Sequence, residues 1–248
     1  MIELEKGMAL LPQHHMRNRV LSEILEEQGA KMTKKSALIV WGGWEGHTPL
    51  ASATVVADML KRHDFDVTLS DTTAAFADAD LAERDLIVPM ITMSTIEKPE
   101  LDGLTAAVRA GTGLAGCHGM MCDSFRNEPE YQFMTGGQWV SHPGNIIDYR
   151  VNIAASGSPI TAGLADFDYR SEQYYMHVDP SNEVLATTRF TGDHLADVAG
   201  VVMPVVWTRR YGLGRVFYSA LGHTSDEFAV PQMATIFERG AVWAARQR

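Results

Sequence analysis

Three histidines stand just past apolar runs, each beside a glycine: His47 in WGGWEGH (41–47), His118 in GLAGCHGM (113–120) and His223 in ALGHTSDEF (220–228). Imidazoles brought together from three such turns make either a metal site or an acid–base site. Singly, each has a plainer role as a loop residue. The case rests on their equivalent places after strand-like runs. His118 has the strongest local setting, because small residues around one reactive side chain let backbone or ligand come close. Cys117 is the rival nucleophile in that turn and would need its own nearby base to form a thiolate.

Carboxylate and aromatic partners come from SEQYYMHVDP (171–180). Strict alternation puts Glu172, Tyr174 and Met176 on one face and Gln173, Tyr175 and His177 on the other. Glu172 is the candidate fourth ligand or general base, and with His118 forms the candidate catalytic pair. Trp44 and Glu45 in the first turn, His142 in the SHPG turn, Tyr174 and His177 are the candidate substrate-binding residues. His14, His15, His63 and His194 read as surface residues. WGGWEG lacks the G-x-G-x-x-G spacing of a dinucleotide loop, and Asp71 is the nearest acid to a ribose-binding position, so no nucleotide cofactor is expected.

These side chains need a frame that ends several strands at one rim. ALIVWGG (37–43), DVTLSD (66–71), DLIVPMI (85–91) and TGLAGCH (112–118) read as buried strands. Between them, a helix starts at Pro49 with Thr48 as N-cap, and another starts at Pro99 and is closed by Gly111. Continuous apolar strands separated by helices imply a parallel sheet covered on both faces, with ligands at the strands' carboxyl ends. YRVNIAA, EVLATTR, VVMPVVW and GRVFYSA then follow with short turns, as antiparallel additions at the sheet edge, before a closing helix over IFERGAVWAA. Residues 1–35 differ in character: Val20, Ile24 and Leu25 at helical spacing, then Gly29, predict a helical extension. The alternative is a natural start at Met32. Residues 36–248 form one domain.

Composition narrows the partners. A net charge of −10 over 248 residues, without a Lys/Arg cluster, argues against nucleic acid and anionic membranes. Two cysteines and no signal-type or membrane-length apolar run fit a reducing, cytoplasmic setting. The N-terminal helix could serve self-association, so a homo-oligomer is considered.

WGGWEGH, GLAGCHG, GGQWVSHPG, SPITAGL, SEQYY and VVWTRRYGLGRVFYSALGHTSDEF, in that order over about residues 36–246, resemble the ThuA-like, or trehalose-utilisation, family. The resemblance implies a three-layer α/β sandwich, flavodoxin-like and similar to class I glutamine amidotransferases, with a mainly parallel sheet. It also implies work on sugars that pass through 3-keto disaccharides, with His47, His118, Glu172 and His223 at the matching cleft positions and Arg209 and Tyr211 matching in the WTRRY segment. In the amidotransferase register His118, not Cys117, takes the nucleophile position, and no His is followed two residues on by Glu, so glutamine hydrolysis is not expected. Three readings follow: an isomerase, lyase or hydrolase of a disaccharide or keto-sugar using a divalent metal, zinc by ligand type; the same cleft using histidines as acid and base without metal; or a non-catalytic sugar-binding or regulatory module.

Overall fold

Strand formation follows the apolar runs closely. The computed structural model describes residues 34–154 and 157–247, so the expected N-terminal helix lies outside the described residues. The first half alternates strand and helix: β1 (Lys35–Gly43), α1 (Pro49–Arg62), β2 (Phe65–Ser70), β3 (Leu86–Thr92), α2 (Lys98–Arg109), β4 (Gly113–Cys117), α3 (Gly119–Cys122) and α4 (Pro129–Thr135). The second half is strand-rich: β5 (Gly137–Ser141), β6 (Ile146–Ile153), β7 (Phe167–Glu172), β8 (Tyr175–Val178), β9 (Glu183–Arg189), β10 (Val202–Tyr211), β11 (Gly214–Ser219) and a last helix, α5 (Pro231–Ala244).

Nine of these strands form one sheet in the order β2-β1-β3-β4-β11-β10-β9-β6-β7. Its first five members are parallel, and their 2-1-3-4-5 succession is the flavodoxin-like order. The remaining strands add antiparallel from β11 outward. GRVFYS therefore differs from the expectation of an edge addition: β11 lies mid-sheet, parallel to β4 and antiparallel to β10, and joins the two halves. Such a position needs a strand apolar on both faces, and Val216, Phe217 and Tyr218 are fully buried. β3 is buried along its whole length for the same reason.

Helices α1 and α5 pack together on one face, and α2 and α4 on the other, giving three layers. A capping box between Glu97 and Glu100 starts α2. Trp207 on β10 is fully buried and donates its Nε1–H to the Thr135 carbonyl (3.0 Å), tying α4 to the antiparallel half.

SEQYYMHV is not one continuous strand. β7 ends at Glu172 and β8 begins at Tyr175, in a separate two-strand ribbon with β5. The break lies at Gln173, whose amide donates sideways to Thr188 Oγ1 (2.7 Å) on β9. Glu172 and Tyr174 are both buried, whereas His177 is exposed opposite Gln138.

Cys117 and Cys122 are both buried in the core, and burial raises both thiols above their ordinary range, with the Glu227 charge adding to the effect at Cys117. Neither should react with a thiol-specific aromatic disulfide in the native protein at pH 8, and both should react in denaturant. Rapid native labelling at Cys117 would contradict this burial.

Candidate metal centre

Each imidazole is placed by a local backbone device. β1 ends in Gly42 and Gly43, and a Cβ at Gly43 would lie 1.9 Å from the Thr92 carbonyl oxygen. That close approach lets the turn Glu45–His47 fold against the end of β3, with the Trp44 N–H donating to Thr92 O (3.0 Å). His47 is 2% exposed, and its Nδ1 lies 2.7 Å from Thr92 Oγ1. With Nδ1 engaged, Nε2 is the ligating atom on offer.

Thr48 precedes α1 as expected but does not cap it with its side chain. Its backbone is left-handed (φ 49°), and Oγ1 instead accepts the Ser225 N–H (2.9 Å). The hydroxyl thus ties the His47 turn to the loop that carries His223.

His118 sits between β4 and α3 with φ 50°, a left-handed value that a non-glycine residue adopts at a cost. Its N–H donates to Ser219 O (2.7 Å), which anchors the elbow to β11. Gly119 is required next to it: a Cβ there would lie 2.5 Å from His47 Cε1 and 2.9 Å from Tyr174 Oη. The Tyr174 ring stacks on the His118 ring at 3.9 Å.

His223 follows Gly222, whose φ is 97°. Glu227 holds this loop: its Oε2 accepts from the His223 N–H (2.9 Å), the Gly222 N–H (3.2 Å) and the Tyr169 hydroxyl. Glu172 arrives from the antiparallel half as the last residue of β7.

Four ligand atoms, one each from His47, His118, Glu172 and His223, lie within 4.8 Å of one another. His118 Nε2 is 3.1 Å from Glu172 Oε2 and 3.2 Å from His223 Nδ1, and His223 Nδ1 is 3.5 Å from the same carboxylate oxygen. A tetrahedral zinc with bonds of about 2.0 Å has ligand–ligand edges of about 3.3 Å. The three separations bracket that edge, and three imidazoles with one carboxylate form a donor set that suits zinc. The residues fit a divalent metal.

Electrostatics agree. His118 Nδ1 lies 2.8 Å from the Ala220 carbonyl, which can only accept, so the ring carries its proton there. Nε2 then meets the Glu172 carboxylate oxygen either bare, which needs a cation between the two, or carrying a second proton. Burial, then the neighbouring His118 and His223, hold His47 down to about 2. His223 is lowered for the same reasons, burial first and His118 next. Burial pushes the Glu172 carboxyl up, but the His118 hydrogen bond and charge, with His223 and His142, more than offset it and hold Glu172 at about 2. Glu172 is ionised while His47 and His223 are neutral, the protonation state in which all three can ligate.

The other candidates divide. His142 Nε2 lies 3.7 Å from Glu172 Oε1, and its Nδ1 is buried without a hydrogen-bond partner among the described residues. Its ring lies 5.5 Å from Trp139 and 6.3 Å from Tyr174. Trp44 is 45% exposed, its ring centroid 4.8 Å from that of His47 in an edge-on arrangement. Glu45 is exposed on the same turn and His177 is exposed on β8; neither has a side-chain hydrogen bond or ion pair to the cluster among the described residues. Thr92 and Glu227 went unrecognised by sequence reasoning. Thr224-Ser-Asp-Glu227 carries the T-x-x-E signature of a helix start, the signal available for Glu227; Thr92 carries none.

The family model for ThuA, described as trehalose utilisation, matches residues 36–244. Two similar solved structures are ThuA-like proteins. That from Parabacteroides merdae ATCC 43184 is 19% identical at TM-score 0.69, over 87% of this chain and 92% of that one. That from Bacteroides uniformis ATCC 8492 is 21% identical at TM-score 0.70, over 86% and 91%. A cytoplasmic protein from Salmonella typhimurium LT2 is 14% identical at TM-score 0.57, over 86% and 100%. These likenesses show the fold. No curated protein matches the chain, and no helix among the described residues is long and apolar enough to cross a membrane.

Gly119→Ala should lower the free energy of unfolding by about 1–3 kcal/mol in urea, because neither His47 nor the elbow has room to yield; an unchanged midpoint would contradict the close approach. A histidine with a lowered folded-state pKa takes up its proton more readily when unfolded. Metal-free protein should therefore lose stability as pH falls below about 6.5, with His47 contributing about 1.4 kcal/mol per pH unit. Denaturant titrations at pH 7 and pH 5 check the sign, and His47→Asn should remove that share of the slope.

Proposed function

The chain belongs to the ThuA family of trehalose utilisation, and from that premise we propose that it is an enzyme of carbohydrate metabolism. It acts on a disaccharide or 3-keto sugar at the His47–His118–Glu172–His223 cluster. The observation that carries this reading is the convergence of four ligand atoms within 4.8 Å from four distant parts of the chain. Against a purely structural role stands the composition of the cluster. A core needing only stability does not gather three imidazoles and a carboxylate, since burying such groups is costly unless a cation or proton is shared among them.

His47, His118 and His223, with Glu172 Oε2, would hold the divalent metal, zinc by ligand type. When bound, it supplies a Lewis acid that polarises a sugar carbonyl or vicinal oxygens. The chain's own groups supply the rest. Glu172 Oε1 lies outside the His118–His223 contact and faces His142, so it is the atom placed to accept a proton from bound sugar. His142 Nε2, 3.7 Å away and with a side chain 28% exposed, can pass that proton to solvent. Tyr174 fixes the His118 ring by stacking, and Trp44 offers an exposed ring to the apolar face of a sugar at the rim. Proton removal beside a carbonyl leads to isomerisation or elimination, and hydrolysis uses the same groups with water as nucleophile.

The 3.1 Å contact between His118 Nε2 and Glu172 also fits a metal-free pair, His118 protonated on both nitrogens and Glu172 ionised. This second reading keeps the same substrate class with histidine acid–base chemistry. Assays across oxidised and unoxidised disaccharides, with product identification, separate the two. Metal-assisted turnover should fall at least 100-fold in chelator and return with zinc, and Glu172→Gln should lose it as fully. Turnover undiminished in chelator but abolished in His118→Ala would favour the metal-free pair. Saturable sugar binding with no product from any of these would leave a binding module.

A further inference from the structure

Several described cavities lie away from the histidine cluster, and one has an unusual wall. It measures about 310 Å³ and is lined by Arg210, Arg215, Arg246, Leu213, Gln247 and the Ala110–Gly111 turn. It opens where β4 and β11 begin, whereas the histidines stand where these strands end. Five residues of β4 at about 3.3 Å each place the cavity on the order of 15 Å from the cluster.

Three features of the wall point to a ligand. First, Arg210 and Arg215 are directly opposite one another across the β10–β11 pair. Like charges facing across an antiparallel pair are destabilising, and neither makes an ion pair among the described residues. Second, Arg246 makes no ion pair there either, and its Nε is buried without a hydrogen-bond partner, although Nη2 donates to Ala82 O (2.6 Å) and Thr112 Oγ1 (2.9 Å). An unsatisfied buried donor on a guanidinium is expensive. Third, among the described residues no Asp or Glu lines this cavity or the adjoining one of about 400 Å³, which shares Arg215 and Gln247 and adds Lys35 and Arg239.

Much of the competing negative character is already satisfied. The α5 C-terminus approaches with its carbonyls, but Ala245 O already accepts from Arg215 Nη2 (2.7 Å) and Gln247 Nε2 (3.0 Å). Arg215 also stacks on Trp243 at 4.9 Å, which fixes its plane. In a protein of net charge −10, three guanidinium groups thus stand together without an ion pair among the described residues.

We propose that this arginine-walled cavity binds a small multivalent oxyanion, a phosphate ester or a dicarboxylate, bridged between Arg210, Arg215 and Arg246. Guanidinium groups suit both, because their paired N–H donors match two oxygens of a phosphate or carboxylate. The site is separate from the sugar-processing cluster, so its ligand is an effector or a stabiliser rather than the substrate. It stands whether or not the cluster holds metal.

Thermal unfolding of the full chain in inorganic phosphate and in succinate, against sodium chloride at matched ionic strength, tests this. The expected result is a saturable rise in melting temperature with one of the two anions, half-maximal at millimolar concentration or below. Arg210→Ala changes an exposed side chain with no hydrogen bond or ion pair among the described residues. It should fold and should need at least tenfold more anion for half the rise. Arg215→Lys, which keeps charge but loses the fork, should weaken binding similarly. His118→Ala controls for phosphate bound at the histidine cluster and should leave the rise intact. A rise equal in wild type and Arg210→Ala, a rise lost in His118→Ala, or no rise with either anion would overturn the proposal.

Discussion

A carbonyl oxygen that can only accept governs the chemistry of the centre. Ala220 O fixes the His118 proton on Nδ1, and the ring's other nitrogen then has no choice but to face the Glu172 carboxylate with a lone pair or with a second proton. Everything nearby is arranged around that contact. His223 Nδ1 stands at the third corner, Tyr174 holds the ring plane by stacking, and His47 is kept neutral by burial and by its neighbours. A shared positive charge is the condition for these groups to coexist, and a divalent cation meets it without protonating an imidazole.

The fold serves this contact by joining two kinds of sheet. Parallel strands β1, β3 and β4 end together at one rim and deliver His47, Thr92 and His118, as doubly wound sheets do for their ligands. The antiparallel half returns Glu172 to the same place from the far side. β11 belongs to both halves, and its exit carries Ala220, Gly222 and His223. Backbone strain gathers here too: Thr48, Met93 and His118 are non-glycine residues with positive φ at the ends of the elements that build the centre. Their conformations persist because surrounding hydrogen bonds over-determine them.

Much of this was legible in the residues. Runs such as DLIVPMI and GLAGC announce buried parallel strands because both faces must be apolar, and a histidine beside glycine after each run marks the rim. The fold class follows from those two signals and the family motifs, and so does the choice of His47, His118, Glu172 and His223 as the residues to look for in one place, where the structure does bring them together. What could not be read depends on long-range geometry. The break after Glu172, where the Gln173 amide donates to Thr188 fifteen residues on, sends Tyr175–Val178 into a separate ribbon with β5. Thr92 looks like any strand-end threonine until His47 is folded onto it. Thr48 reads as an N-cap because its hydroxyl's actual partner, the Ser225 amide, is 177 residues away.

X-ray absorption at the zinc edge, on protein loaded with one equivalent of zinc, interrogates the centre most directly. The expected spectrum has a single shell of four nitrogen and oxygen neighbours at about 2.0 Å, with outer-shell scattering from three imidazoles that drops to two in His223→Ala. A sulfur shell, an oxygen-only shell, or imidazole scattering unchanged by that substitution would place the cation elsewhere and contradict the cluster as its site.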